Sequence, residues 1–184
     1  MGWVLLIAGV LLWTGAHLWK RVAPASRERF GDAGKGIVTA LLVMSIALMV
    51  FGYHNADGGP GWWGRSSALV GINNLLMLLA FYLFAASGAK TAITRRVKNP
   101  QLTAFKTFCV AHLLVNGDLA PFVLRGGVLA WAGIEVIVRM RAGVPWEPPH
   151  PVPMAKEITA GVIAVVAMVI VMLIHHWLGV TPWG

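Results

Sequence analysis

The sequence predicts an all-α, polytopic integral membrane bundle of six transmembrane helices, and three observations carry that reading. Of 184 residues, 58% are hydrophobic and only 12% are charged, and the mean hydropathy is +0.72. Six apolar stretches approach the ~20 residues that a crossing helix needs. The basic residues gather in alternate connecting loops. So few polar side chains cannot coat a soluble globule of this size, which leaves lipid as the solvent. In hydrocarbon only helices and closed barrels satisfy their own backbone, and the runs here lack the two-residue alternation of barrel strands.

The stretches cover 2–19, 37–54, 67–86, 102–115, 119–138 and 158–177. The first opens apolar at once, without the basic region and small-residue cleavage site of a signal peptide, so it is expected to be retained. The fourth is short. It is interrupted by Lys106 and ends at Asn116-Gly117-Asp118, which leaves two forms open: a plain crossing, or a partly inserted hairpin with the fifth. No internal repeat or soluble insertion divides the chain, and 1–184 is read as one transmembrane domain. The longest polar stretch, about 139–156, holds Pro145, Pro148, Pro149, Pro151 and Pro153 and is expected to be a stiff, extended loop.

A formal charge of +8 in a soluble chain points to nucleic acid, but the placement of the charges argues against such a partner. Lys20, Arg21, Arg27, Arg29 and Lys35 fall in one loop, Lys90, Arg95, Arg96 and Lys98 in another, and Arg139, Arg141 and Lys156 in a third. By the positive-inside rule these loops are cytoplasmic and both termini lie on the opposite face. The tryptophans, among them Trp3, Trp19, Trp62, Trp63, Trp146, Trp177 and Trp183, cluster near the expected interfaces as headgroup-level anchors. The single cysteine, Cys109, excludes an internal disulfide and a CxxC pair.

Polar side chains inside spans are costly, so each is a functional candidate. They are His17, His54, Asn73, Asn74, Cys109, His112, Asn116, Asp118, Glu135, His175 and His176. Glu135 stands four residues before Arg139, the spacing of an intrahelical ion pair. Asn73 and Asn74 suit hydrogen bonds between helices. Cys109, His112 and Asn116 share one face of the fourth helix, with Asn116 or Asp118 placed to cap the start of the fifth. Neutral imidazole suits a metal, and histidines facing one another across a bundle suit a b-type haem better than zinc, which wants more Cys, His or carboxylate ligands. Depth selects the second ligand. A fourth helix beginning at Gln101 puts His112 about 17 Å from the cytoplasmic boundary, too deep for His17, whereas a boundary at Lys106 gives about 9 Å and a workable match. Otherwise His54, His175 or His176 are the partners at the right depth.

Several segments together resemble a known family. They are Gly15-Ala16-His17, Gly52-Tyr53, Met77-Leu78-Leu79-Ala80-Phe81, Asn99-Pro100-Gln101-Leu102, Ala111-His112-Leu113-Leu114-Val115-Asn116-Gly117-Asp118, Leu129-Ala130-Trp131 and His175-His176-Trp177-Leu178-Gly179-Val180. The chain resembles the NnrU membrane proteins associated with denitrification and nitric-oxide response, which are similar to 15-cis-zeta-carotene isomerase. The resemblance implies a haem b on His112, with Cys109 as an alternate ligand in Cys109-Val110-Ala111-His112, His17 as axial partner, and Asn116 and Asp118 beside the cofactor. It also implies a role in nitrogen-oxide respiration, alone or with a membrane respiratory or assembly complex. Haem-dependent carotenoid isomerisation and a cofactor-free accessory subunit are the other functions kept open. Where the family reads Arg-His-Pro before the fourth helix, this chain reads Lys98-Asn99-Pro100.

Overall fold

A computed structural model of the chain describes residues 1–143 and 145–183. Its helices are α1 (Gly2–Val22), α2 (Pro24–Glu28), α3 (Ala33–Asn55), α4 (Ser67–Ala89), α5 (Pro100–Val115), α6 (Leu119–Arg141) and α7 (Met154–Trp177). A 3-10 turn at Ala92–Arg95 follows α4, and the stretch Phe122–Gly126 inside α6 is a π turn. Among the described residues no strand forms beyond one isolated bridge, Gly61 with Asp118. The chain is a multi-pass helical membrane bundle. Its spans lie within a few residues of those read from hydropathy.

Five helices, α1, α3, α4, α6 and α7, are long and apolar enough to cross a bilayer. The fourth hydrophobic segment, expected as a sixth crossing, forms the 16-residue α5. At ~1.5 Å per residue it spans about 24 Å, short of the ~30 Å hydrocarbon core. It starts at Pro100, where a ring with fixed φ and no N–H suits the first helical turn. Lys106 therefore lies inside the helix and does not mark its beginning.

The chain divides into two compact units, 1–62 with 117–138 and 63–116 with 139–184. In the first, α1 and α3 run antiparallel and pack through glycine. A side chain at Gly9 would meet Met49 N at 2.8 Å and Ser45 O at 2.9 Å, and one at Gly52 would strike the backbone at Leu6. With no hydrophobic drive between helices in lipid, such close backbone approach is a main source of association. Met49 and Ser45 are buried at this seam. The indole of Trp3 donates to Asp57, closing the far end. Beyond α3 the chain pairs with the start of α6: Trp62 N donates to Gly117 O (2.9 Å) and Leu119 N to Pro60 O (3.1 Å).

In the second unit α4 packs against both α5 and α7. Ser66 caps α4 by accepting from Leu69 N (3.3 Å). Lys90 ends it in the left-handed conformation (φ 59). Ala160 and Ala164 are the buried positions of α7, so small residues again set the approach. Glu157 accepts from Ala92 N (2.7 Å) at one end, and Arg65 Nη2 donates to Thr181 O (2.5 Å) at the other, which makes α4 and α7 antiparallel.

Gly9→Ala is expected to lower the thermal unfolding midpoint in detergent by several degrees. Gly71→Ala, where nothing lies within 4 Å of the added carbon, should leave it unchanged. Equal midpoints for the two would sink the account of the α1–α3 seam.

Candidate functional site

The candidate residues fall into both units, and each environment is built locally. In the first unit His17 lies five residues before the end of α1. Its Nδ1 approaches Trp13 O at 3.0 Å. Because a carbonyl only accepts, Nδ1 carries the proton and the lone pair of the neutral ring sits on Nε2. The imidazole is flanked by indoles, with ring centroids 4.2 Å from Trp13 and 4.4 Å from Trp131, and the two indoles meet edge-on at 5.4 Å.

One turn further along both helices, Arg21 Nε donates to Glu135 Oε1 at 2.6 Å. Glu135 is 4% exposed, so its charge is held inside the protein. Arg21, 114 residues earlier in the chain, is a partner of Glu135 that local spacing did not suggest, and Arg139 Nη1 reaches Asn99 Oδ1 (3.4 Å). The four-residue spacings Trp13–His17–Arg21 and Trp131–Glu135 place each set on one helical face. Those spacings were visible in the sequence; that the two faces meet was not.

In the second unit Cys109 is fully buried and His112 is half-buried. His112 Nδ1 lies 3.0 Å from Phe108 O, and the Phe108 ring stands 4.4 Å from the imidazole. The tautomer is fixed here as at His17. Asn116 Nδ2 donates to His112 O (2.7 Å), while Trp63 Nε1 donates to Leu113 O (3.2 Å) and Leu114 O (3.1 Å). The last carbonyls of α5, which a helix leaves without intrahelical donors, are covered in this way. Asn116 therefore caps the end of α5 and not the start of the next helix. Asp118 stands at the N-cap position of α6, but its side chain makes no capping hydrogen bond. It is exposed and pairs through its backbone with the 58–62 segment.

Of the alternates, His54 is exposed near the end of α3, with its ring edge-on to Tyr53. His175 is half-buried, its Nδ1 2.8 Å from Val171 O, and His176 is exposed with its ring 5.0 Å from Trp183. The boundary at Lys106 that favoured His17 as partner of His112 is not a helix boundary, since His112 lies twelve residues into α5. Arg125, a cation inside the α6 span and on its π turn, was absent from the candidates drawn from the sequence. An apolar run interrupted by arginine was the available signal.

Among the described residues no three of His, Cys, Asp and Glu come together. Each imidazole with Nδ1 on a carbonyl is a single-nitrogen donor. The model of the NnrU protein family matches residues 5–182, nearly the whole chain. The chain belongs to the NnrU family. Among curated proteins and solved structures nothing matches it.

For this NnrU chain the buried ion pair yields a direct expectation. Arg21→Ala removes the cation 2.6 Å from the buried Glu135 carboxylate and should destabilise the protein by about 3 kcal/mol. The double variant Arg21→Met with Glu135→Leu should recover most of that loss, as measured by unfolding in a steric-trap or detergent assay. No recovery would mean that the pair does more than neutralise charge.

Proposed function

We propose that this NnrU-family protein holds a b-type haem through His112 and serves nitrogen-oxide respiration in the bacterial inner membrane. The observation that carries the reading is the half-buried imidazole of His112, locked with its proton on Nδ1 and beside the buried Cys109, in a chain matched by its family over residues 5–182. A neutral imidazole with its lone pair on Nε2 is the form that ligates iron, and the hydrogen bond to the carbonyl orients the ring. Cys109, one turn away, is the alternate ligand. When bound, such an iron supplies one-electron chemistry or a coordination position for a small gas. The chain's own contribution is to hold the ring, keep Cys109 from solvent, and hold the end of α5 firm through Asn116 and Trp63.

A boundary at Lys106 would put His17 at the right depth for the second axial nitrogen, but α5 starts at Pro100, so that position passes to His54, His175 or His176, the last two in the same unit as His112. His17 stays as the partner that the family resemblance implies. Expression under haem-replete conditions should give a Soret band that shifts on reduction, and His112→Ala should abolish it. A colourless wild-type protein would end the haem reading. Retention of the pigment in His17→Ala would support that assignment, and its loss would return the second position to His17.

A second reading rests on the Cys109/His112 pair, whose spacing suits a change of axial ligand: a haem-dependent cis-trans isomerase of a carotenoid such as 15-cis-zeta-carotene. Complementation of a light-protected carotenogenic host by the wild type, and not by His112→Ala, would select it.

A further inference from the structure

The net charge of +8 is divided unevenly between the two units. The first carries six basic residues against five acidic ones and the second nine against two, so +7 of the excess belongs to the second. Eight of those nine bases stand at one end of it, where two contacts gather the chain. Glu157 near the start of α7 accepts from Ala92 N in the turn after α4 (2.7 Å), with Lys156, Lys90, Arg95 and Arg96 within a few residues of that contact. Arg139 near the end of α6 donates to Asn99 Oδ1 just before α5 (3.4 Å), with Lys98 and Arg141 close by in sequence. The eighth, Lys106, lies further in. All but Arg139 and Lys106 are exposed.

Topology does not require this imbalance. Lys and Arg set the orientation of a membrane protein and Asp and Glu contribute little, so acidic residues can accompany the basic ones without cost, as they do in the first unit. There Arg21 holds Glu135 (2.6 Å), Lys35 holds Asp32 (3.4 Å), and Glu28 stands between Arg27 and Arg29 in sequence. The second unit has no such supply. Of its two carboxylates, Glu147 lies in the proline-rich loop and Glu157 is engaged by a backbone N–H. Crowded like charges raise the energy of a compact state, and an anion brought from outside lowers it.

Lys106 marks the depth of that anion. It is half-buried and six residues past the first residue of α5, which is about 9 Å along the helix. A helical side chain leans toward the N-terminus of its helix, and a lysine there runs its apolar stem the same way to bring its amine to headgroup level. Soluble anions stay out of this layer, whereas lipid phosphates already occupy it. The flanking surfaces suit the rest of a lipid: Phe84 near the end of α4, and Ile158 and Val162 near the start of α7, are exposed apolar side chains.

We propose that this end of the second unit binds anionic phospholipid, its cations, Lys106 among them, holding the phosphate while the apolar faces of α4 and α7 take the acyl chains. None of these groups is a candidate haem ligand, so the surface stands or falls apart from the haem reading.

The test places the full chain in nanodiscs of dioleoyl phosphatidylcholine containing increasing fractions of dioleoyl phosphatidylglycerol, two lipids that differ only in headgroup. The thermal unfolding midpoint should rise saturably with the anionic lipid, and the rise should shrink in high salt; the fraction that gives half of it measures affinity. Arg95→Gln with Arg96→Gln and Lys98→Gln should cut that affinity at least ~10-fold, whereas Lys20→Gln with Arg29→Gln and Lys35→Gln, the same loss of charge in the first unit, should leave it unchanged. Lys106→Met should weaken binding about 5-fold, while in phosphatidylcholine alone the variant stays as stable as wild type, since a half-buried charge has gone. Polyglutamate added to phosphatidylcholine discs should give no rise. Equal midpoints with and without phosphatidylglycerol, equal losses from the two triple variants, unchanged affinity in a folded Lys106→Met, or a matching rise from polyglutamate, which would make an acidic protein the partner, would overturn the proposal.

Discussion

Hydrocarbon offers no hydrogen-bond partner, and most of the local structure follows from that constraint. Each polar group inside a span has to find its complement within the protein. The backbone does so by becoming helical. The histidines do so by turning Nδ1 to the carbonyl four residues back, at 3.0 Å for His17, 3.0 Å for His112 and 2.8 Å for His175. That choice was made for solubility in lipid, yet it has a chemical consequence. It places the lone pair on Nε2 in all three, and a ring satisfied in this way is also a ring prepared to bind a metal.

The same constraint explains the ends of helices. An α5 of 16 residues ends inside the second unit with carbonyls that water cannot be assumed to reach, and side chains take its place. Asn116 and the indole of Trp63 donate to three of those carbonyls. Asn116 thereby caps the end of its own helix and not the start of the next, and the indole of Trp63 holds a helix end. A short helix has a larger share of its backbone at its ends, so it demands more capping per residue than the five longer helices do.

How far the sequence could be read depended on how far apart the interacting residues lie. The spans follow from a signal within each stretch, so their positions were legible, as was the shared side of Cys109 and His112 within α5. Pairing across the chain was not. Helical spacing offers Glu135 the nearby Arg139, but Arg21 lies 114 residues earlier, beyond the reach of any local pattern. Glu135 faces inward at 4% exposure, and only the folded chain brings that cation to it. The position of Lys106 misled for a related reason. A lysine can lie within a helix and run its apolar stem along it toward the headgroups, so a charge in an apolar run does not date the start of the helix.

The two histidines with the strongest claims differ in how they are held, and the difference bears on what each can do. His17 is confined by indoles on both sides, with a buried ion pair one turn away. Rotating its ring means moving Trp13 or Trp131, and Trp131 is itself buried. His112 is contacted by the Phe108 ring, and one turn away on the same face lies the sulfur of Cys109, a softer donor with no solvent exposure. A ligand that must stay in place is served by the first arrangement. A position at which nitrogen and sulfur can exchange is served by the second, because the helix already presents both donors to one side.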